Sequence, residues 1–360
     1  SASLVGSEMC IRDRYNIMES YGLHAIVVNP AHMKAVPGRK TDVKDAEWIA
    51  ELLQHGLLQP SYIPSKDQRE LRELVQYRKS LVGERTRELN RLQKMLEGAN
   101  IKLSGTVTNI NGKSARKILE YILSGNEIDE KKYDEMYEEK LIAHNLKASK
   151  EQILDDLKGF MSPLQRRMLK ELLQHLDELN VHIENLNDEI DNFMKPEEKQ
   201  ASQVIQDVTG IGNTSAQTII AVIGTDMERF PSDRHISSWA GLCPGDNVSA
   251  KKRKSGKIRK GNALLKSTLV LCAHAAVRHK SSYFHAQFKR ISTHRGKKRA
   301  YVAVAHSILI AIYHILKDGV KYQDLGAEYY NQFNAERKIH AYLKKLKALG
   351  WEPPKEAVPA

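Results

Sequence analysis

Leu169-Lys-Glu-Leu-Leu-Gln-His-Leu-Asp-Glu-Leu-Asn-Val-His-Ile-Glu-Asn-Leu-Asn-Asp-Glu-Ile-Asp-Asn-Phe193 carries apolar residues at 169, 172, 176, 179, 183, 186, 190 and 193, at alternating spacings of three and four. That is the a/d seam of a coiled coil over about three and a half heptads. A helix with such a seam needs a partner. The partner is either the long charged helix expected over 67–97, folding back, or the same helix in a second subunit. The 67–97 segment has apolar Leu71, Leu74, Val75, Leu81, Val82, Leu89, Leu92, Met95 and Leu96. Its arginines 69, 72, 78, 85, 87 and 91 read as a basic outer face, either solvated or lying along phosphates. On the other side of the seam, the polar, proline-containing Lys195 to Ser202 ends the coil and sets a domain boundary.

Composition narrows the partners. The 360 residues hold 56 Lys+Arg against 44 Asp+Glu, a formal net charge of +12. A chain this basic suits a polyanion, and nucleic acid is the usual one. It carries no lipidation motif, and the apolar run Ala300 to Leu316 contains His306, Tyr313 and His314. That run reads as a buried core helix rather than a membrane span, so no membrane partner is expected. Cys10, Cys243 and Cys272 lie far apart without CxxC spacing, which argues against a disulfide framework or structural zinc and fits a reducing cytoplasm. Residues 1–14 look like translated adapter sequence and are set aside from fold reasoning.

Upstream of the coil, His24-Ala-Ile-Val-Val-Asn29 reads as a short buried parallel strand, part of an α/β layer too small to be a whole one. After the Pro37-Gly38 turn, Asp42 and Asp45 open an amphipathic helix. Carboxylates at i and i+3 face the same way and can share a divalent cation that then engages a phosphate. The same pair is close to a capping box, and acidic residues suit any first helical turn.

Two segments further on carry phosphate chemistry. Val208-Thr-Gly-Ile-Gly-Asn-Thr-Ser-Ala216 sits between helical segments. Gly210 and Gly212 either expose backbone N–H groups to a phosphate, as helix-hairpin-helix modules do, or merely make a tight turn. In Ser249-Ala-Lys-Lys-Arg-Lys-Ser-Gly-Lys-Ile-Arg-Lys-Gly-Asn262, the cations Lys251, Lys252, Arg253, Lys254, Lys257, Arg259 and Lys260 stand among small residues that let the backbone approach a phosphate. A serine held there, Ser249 or Ser255, would attack phosphorus if metal-bound groups activated it. Between 278 and 299, basic residues alternate with Tyr283, Phe284 and Phe288, a mixture that suits nucleic acid or a core.

Val36 to Ala46, Asp207 to Gly212, Phe230, Trp239 to Pro244 and the Ser249 to Asn262 segment together resemble the DEDD transposases of bacterial insertion sequences, the IS-one-ten family, related to the Piv invertases. The resemblance runs from about Tyr15 to about Tyr322. It implies a fold of α/β plus all-α type. A partial RuvC-like, RNase-H-type domain spans 15–65, a helical coiled-coil region 66–200, a mainly helical C-terminal transposase domain 201–322, and a tail 323–360. It also implies Mg²⁺ as cofactor, with Asp42 and Asp45 matching the third and fourth of the family's acidic ligands. Ser249 then matches the serine that links covalently to DNA, with Ser255 as the alternative. Implied partners are the element's DNA ends and target, an element-encoded guide RNA, and further copies of the chain. The family's first Asp and its Glu lie upstream of the Tyr15 segment. The resemblance therefore implies a truncated, catalytically impaired copy in which Glu19 is an ordinary helix residue. The reading from another class is a non-catalytic nucleic-acid-binding coiled-coil protein in which Asp42 and Asp45 only cap a helix.

Overall fold

The Leu169 seam begins where local chemistry starts a helix. Pro163 stands at the first helical position, and the Ser162 hydroxyl accepts from the Gln165 N–H (3.2 Å) while the Gln165 side chain accepts from the Ser162 N–H (2.9 Å). This reciprocal box satisfies two otherwise orphaned donors. In the computed structural model, which describes residues 13–28, 42–58, 60–126, 128–142, 148–244, 247–249, 252–255, 258, 260–332 and 335–351, the helix runs over Pro163–Phe193. Two compact units are described separately, Ser1–Arg69 and Glu70–Ala360.

In the first unit, a helix α1 covers 13–20 and α2 covers Asp42–Gln54. Residues 24–28 correct the parallel-strand reading. Val28 makes one isolated antiparallel bridge to Pro60, Ser61 N–H donates to Val27 O (2.7 Å), and Ile26 is exposed. A buried parallel strand needs flanking strands with helices over both faces. Among the described residues here Pro60 is its one bridge partner, and Leu52 is the one buried large hydrophobic. Glu19 lies in α1, paired with Arg69, whose guanidinium sits 5.4 Å from the centre of the Tyr15 ring.

The helix α3 (Lys66–Gly98), which belongs to the second unit from Glu70 onward, lies antiparallel to the seam helix. Arg78 donates to the Asn187 side chain (3.0 Å) and Arg85 to the Asn180 side chain (3.2 Å), numbers rising on one helix as they fall on the other. The seam therefore meets the fold-back partner within the chain. Between them come α4 (Leu103–Thr106), α5 (Lys113–Leu123), α6 (Glu130–Glu138) and α7 (Lys150–Asp156), so the seam helix is α8. The buried positions of α8 are Leu169, Leu173, Leu176, Leu179, Ile183, Leu186 and Ile190. Leu173 thus replaces Leu172, and Phe193 is 38 % exposed while Met194 closes the stripe. A straight helix drifts against a strict seven-residue repeat. Moreover α8 changes company along its length. Leu169, Leu173 and Leu176 share a core with Leu92, Leu96, Ile118 and Leu119, whereas Leu179 to Ile190 belong to a second core with Leu71, Val75 and Leu81.

The basic-face reading of α3 is corrected at three arginines. Arg78 is 2 % exposed and donates to Asn187, to the Gln217 side chain and to Thr214 O (3.0 Å). Arg72 donates to Ala221 O and Val222 O, and Arg85 is held by Asn180. Burial pulls the Arg78 guanidinium down to about 10, partly opposed by Asp191. A base whose folded pKa is depressed weakens the fold at every pH below that value, and the penalty fades only as pH rises through it. The penalty is therefore constant across neutral pH, where the hydrogen bonds to Asn187, Gln217 and Thr214 offset it. Arg78→Ala strands these acceptors and should cost about 2–3 kcal/mol, read as a lowered urea midpoint. Arg78→Met, which fills the space, should cost less; a wild-type midpoint for Arg78→Ala would sink this assignment.

The second core continues past the turn at Lys195 into α9 (Pro196–Ile205), α10 (Asn213–Ile223) and α11 (Asp233–Trp239). A two-stranded ribbon, β1 (Asn247–Ser249) and β2 (Lys252–Ser255), precedes α12 (Ala263–Ala276), α13 (Tyr283–Arg295) and α14 (Lys297–Asp318). Two further helices, α15 (Gly326–Gln332) and α16 (Ala335–Ala348), follow. Among the described residues α14 alone is long and apolar enough to cross a membrane. It buries Val304, Ala305, Ile308, Leu309, Ile312, Tyr313 and Ile315 in the second core, as the core-helix reading expects. Phe284 is buried and Tyr283 and Phe288 pack against the same core, so these aromatics are structural.

Candidate nucleic-acid interface

The turn between α9 and α10 splits the two glycines by role. Gly210 has φ +95°, and a Cβ there would fall 2.5 Å from Cys272 O, 2.6 Å from Ala276 N and 2.7 Å from Ala276 Cβ. Its conformation and the close approach of α12 both require glycine. Gly212 differs: it is the N-cap of α10 at φ −101°, no side chain caps the helix there, and a Cβ would meet nothing within 4 Å. The open, solvent-facing end of the turn is thus at Gly212. Behind it, Arg78 fixes the first turn of α10 through Thr214 O.

The basic segment is built as an antiparallel ribbon. Ser249 pairs with Lys252, Val248 with Arg253 and Asn247 with Ser255, with a register irregularity between Asn247 and Val248. The two candidate serines are therefore at opposite ends of it: Ser249 beside the tip, Ser255 toward the base. Pro244 and Ile258 form a further antiparallel bridge below. The base is clamped where a Cβ on Gly261 would lie 2.5 Å from the Ala240 carbonyl carbon and oxygen and from Gly241 N. Asn262 then caps α12, its side chain accepting from the Leu265 N–H (2.9 Å). On the other side, Trp239 at the end of α11 packs on Phe230 (ring centres 5.5 Å apart), and the Phe230 carbonyl accepts from the buried Tyr313 hydroxyl (3.0 Å). A rigid core thus carries the serine-bearing ribbon.

For the cations, Lys252, Arg253 and Lys254 are placed in β2 and Lys260 is exposed, while Lys251, Lys257 and Arg259 lie outside the described residues. Asp42 and Asp45 both stand in the first turn of α2, the backbone spacing that the sequence predicts; their side chains lie outside the description. They belong to the first unit, and Ser249, Gly210 and Gly212 to the second. Among the described residues no three His, Cys, Asp or Glu side chains gather as a metal site. Two aspartates offer hard oxygen donors of the kind Mg²⁺ prefers. Sequence reasoning missed Arg78, Gln217 and Asp191, which are joined by hydrogen bonds under α10. The signal was available: 71, 75, 78, 81, 85, 88, 92 and 96 continue the three-four spacing of α3, with Arg78, Arg85 and Glu88 inside the stripe.

The clamped ribbon and the open helix end lie toward opposite ends of α12, and the comparisons with known proteins give the class of the chain that carries them: a DEDD-type transposase. Residues 8–101 match a family model for the DEDD transposase domain, and residues 202–289, which contain the turn and the ribbon, match the model described as "Transposase IS116/IS110/IS902 family". The chain belongs to the IS110 family of insertion-sequence transposases. It is similar to the "Transposase for insertion sequence element IS1111A" of Coxiella burnetii, 24 % identical over 297 residues that cover 81 % of this chain and 71 % of that one. It is also similar to the "Insertion element IS110 uncharacterized 43.6 kDa protein" of Streptomyces coelicolor, 27 % identical over 135 residues, 35 % of this chain and 31 % of the relative.

Proposed function

We propose that this transposase cuts and rejoins element DNA by Mg²⁺-dependent phosphoryl transfer, with Ser249 as the nucleophile. The observation that carries the reading is the position of Ser249, beside the tip of a cationic ribbon whose base is clamped at Gly261 and Ala240. In that setting the serine oxygen attacks a backbone phosphorus, the strand's 3′ or 5′ oxygen leaves with a proton, and a phosphoserine link preserves the bond energy for rejoining. Lys252, Arg253, Lys254 and their neighbours neutralise the phosphates, and the amides at Gly212 hold the backbone of the same substrate. Asp42 and Asp45 would hold a bound Mg²⁺ through their carboxylates, and the cation would supply electrostatic stabilisation to phosphoryl transfer. The coiled-coil pairing of α3 and α8, a RuvC-like first domain, a guide RNA bridging donor and target, assembly with further copies of the chain and a cytoplasmic location belong to the same reading.

Ser249→Ala should abolish the covalent protein–DNA adduct, measured by denaturing gel after incubation with labelled element ends and Mg²⁺, and leave DNA affinity within about twofold. An adduct that survives in Ser249→Ala and disappears in Ser255→Ala would move the nucleophile to the ribbon base.

A further inference from the structure

The helical hairpin of α13 and α14 turns on a single residue, Gly296 (φ +81°), and every residue from Thr293 to Arg299 is exposed. That elbow reads Thr-His-Arg-Gly-Lys-Lys-Arg. Among the described residues no ion pair reaches Arg295, Lys297, Lys298 or Arg299, and the first turn of α14 contains no acid. Three cations crowded at a helix start oppose both one another and the helix dipole. Such a conflict between local preference and fold marks sites where a ligand supplies the compensation. One turn below, the exposed His274 of α12 stacks on Tyr301 of α14 (ring centres 3.6 Å apart, planes at 22°), and Tyr301 also meets Phe288 of α13 at 4.5 Å. Tyr301 is three residues from Lys298 and four from Lys297, hence on the same side of α14.

We propose that this elbow, with its ring stack, is a second binding site for a nucleic-acid phosphate backbone, distinct from the ribbon and from the Gly212 turn; it rests on the nucleic-acid reading of the chain. The ribbon base adjoins Asn262 at the start of α12 and the ring stack adjoins His274 near its end. Twelve helical residues separate them by about 18 Å, roughly five base steps of a duplex. One bound duplex or strand can therefore engage both. The exposed His274 ring adds a surface for an unpaired base, whereas the cations serve duplex and single strand alike.

The test uses the full chain with a labelled 30-base-pair duplex and the matching single strand, binding being followed against salt concentration. Lys297→Ala/Lys298→Ala/Arg299→Ala should weaken binding about tenfold or more and lower the salt slope by about 2 to 3. A ribbon triple variant, Lys252→Ala/Arg253→Ala/Lys254→Ala, should lower it independently. His274→Ala should weaken the single strand selectively if an unpaired base is the natural occupant, and neither substrate if the occupant is duplex; both results keep the site. Wild-type slope and affinity for the elbow variant on both substrates would overturn it, leaving the proposed function standing if the ribbon variant loses binding. Failure of the wild-type chain to bind either nucleic acid would overturn both. Because all three substituted residues are exposed and their charges oppose the helix dipole, circular dichroism should match wild type and the urea midpoint should be at or slightly above it; the single variant Lys298→Glu, with a larger loss per site than Lys298→Ala, gives a second check.

Discussion

Gly210→Val is expected to cost on the order of 5 kcal/mol and to leave little folded protein at 37 °C. Two independent penalties act at this position. A β-branched residue at φ +95° is strained wherever it stands, and its Cβ would fall 2.5 Å from a main-chain carbonyl of α12 that has no freedom to withdraw. Relief would require α12 to move off α10, opening the core around Ala216, Ile219, Leu269 and Cys272. Gly212→Ala is the control: φ −101° suits alanine and the space is open, so stability should change by less than about 1 kcal/mol. The pair also separates the two uses of the turn. If Gly212 offers its end of α10 to a phosphate, Gly212→Ala should weaken DNA binding while the urea midpoint holds. A Gly210→Val protein with wild-type stability would remove the packing argument altogether.

The helical part of this fold is legible because its period is long and its apolar residues are large. Leu169 to Ile190 specify a stripe that survives in the structure, and Ala300 to Leu316 specify a core helix. The identity of the residue at one contact is less legible. Leu172 and Leu173 both fit within the angular width of a helix face, and only the handover of α8 from one core to the other selects Leu173. Charge misleads for a related reason. An arginine in a run of charged residues reads as solvent-facing, yet Arg78 falls on the buried stripe and its donors are satisfied by acceptors more than a hundred residues away, Asn187 and Gln217. Such partners cannot be read from local spacing. The short run at 24–28 fails differently, since strand formation is decided by neighbours and the described residues of that unit provide one bridge. In the candidate site, residue types and chain order were legible, and the ribbon register, which separates Ser249 from Ser255, was not. Register depends on the turn and on the clamp at Gly261, a contact with Ala240, upstream of the ribbon.

In a chain that also carries the family's first Asp and its Glu, Asp42→Asn is expected to abolish Mg²⁺-dependent strand cleavage and leave DNA binding and stability nearly unchanged. The substitution is chosen because the competing reading is a helix cap. The helix opens at Asp42, so both aspartates occupy its first turn whatever else they do. Asparagine caps a helix about as well as aspartate, and loss of one charge from the first turn costs only about 0.3–1 kcal/mol through the helix dipole. A purely structural Asp42 would therefore tolerate the change. A metal ligand would not, because a neutral amide binds Mg²⁺ far more weakly than a carboxylate, and the electrostatic stabilisation the cation would supply is lost with it. Cleavage of labelled element ends should fall by at least about 10³-fold, with Asp45→Asn behaving alike and the double variant no worse than either alone, since ligands of one site fail as a unit. Thermal unfolding of the same preparations decides the remaining ambiguity. Lost cleavage with an unchanged midpoint places both carboxylates on the metal, whereas retained cleavage in Asp42→Asn returns the pair to capping and moves the metal site elsewhere.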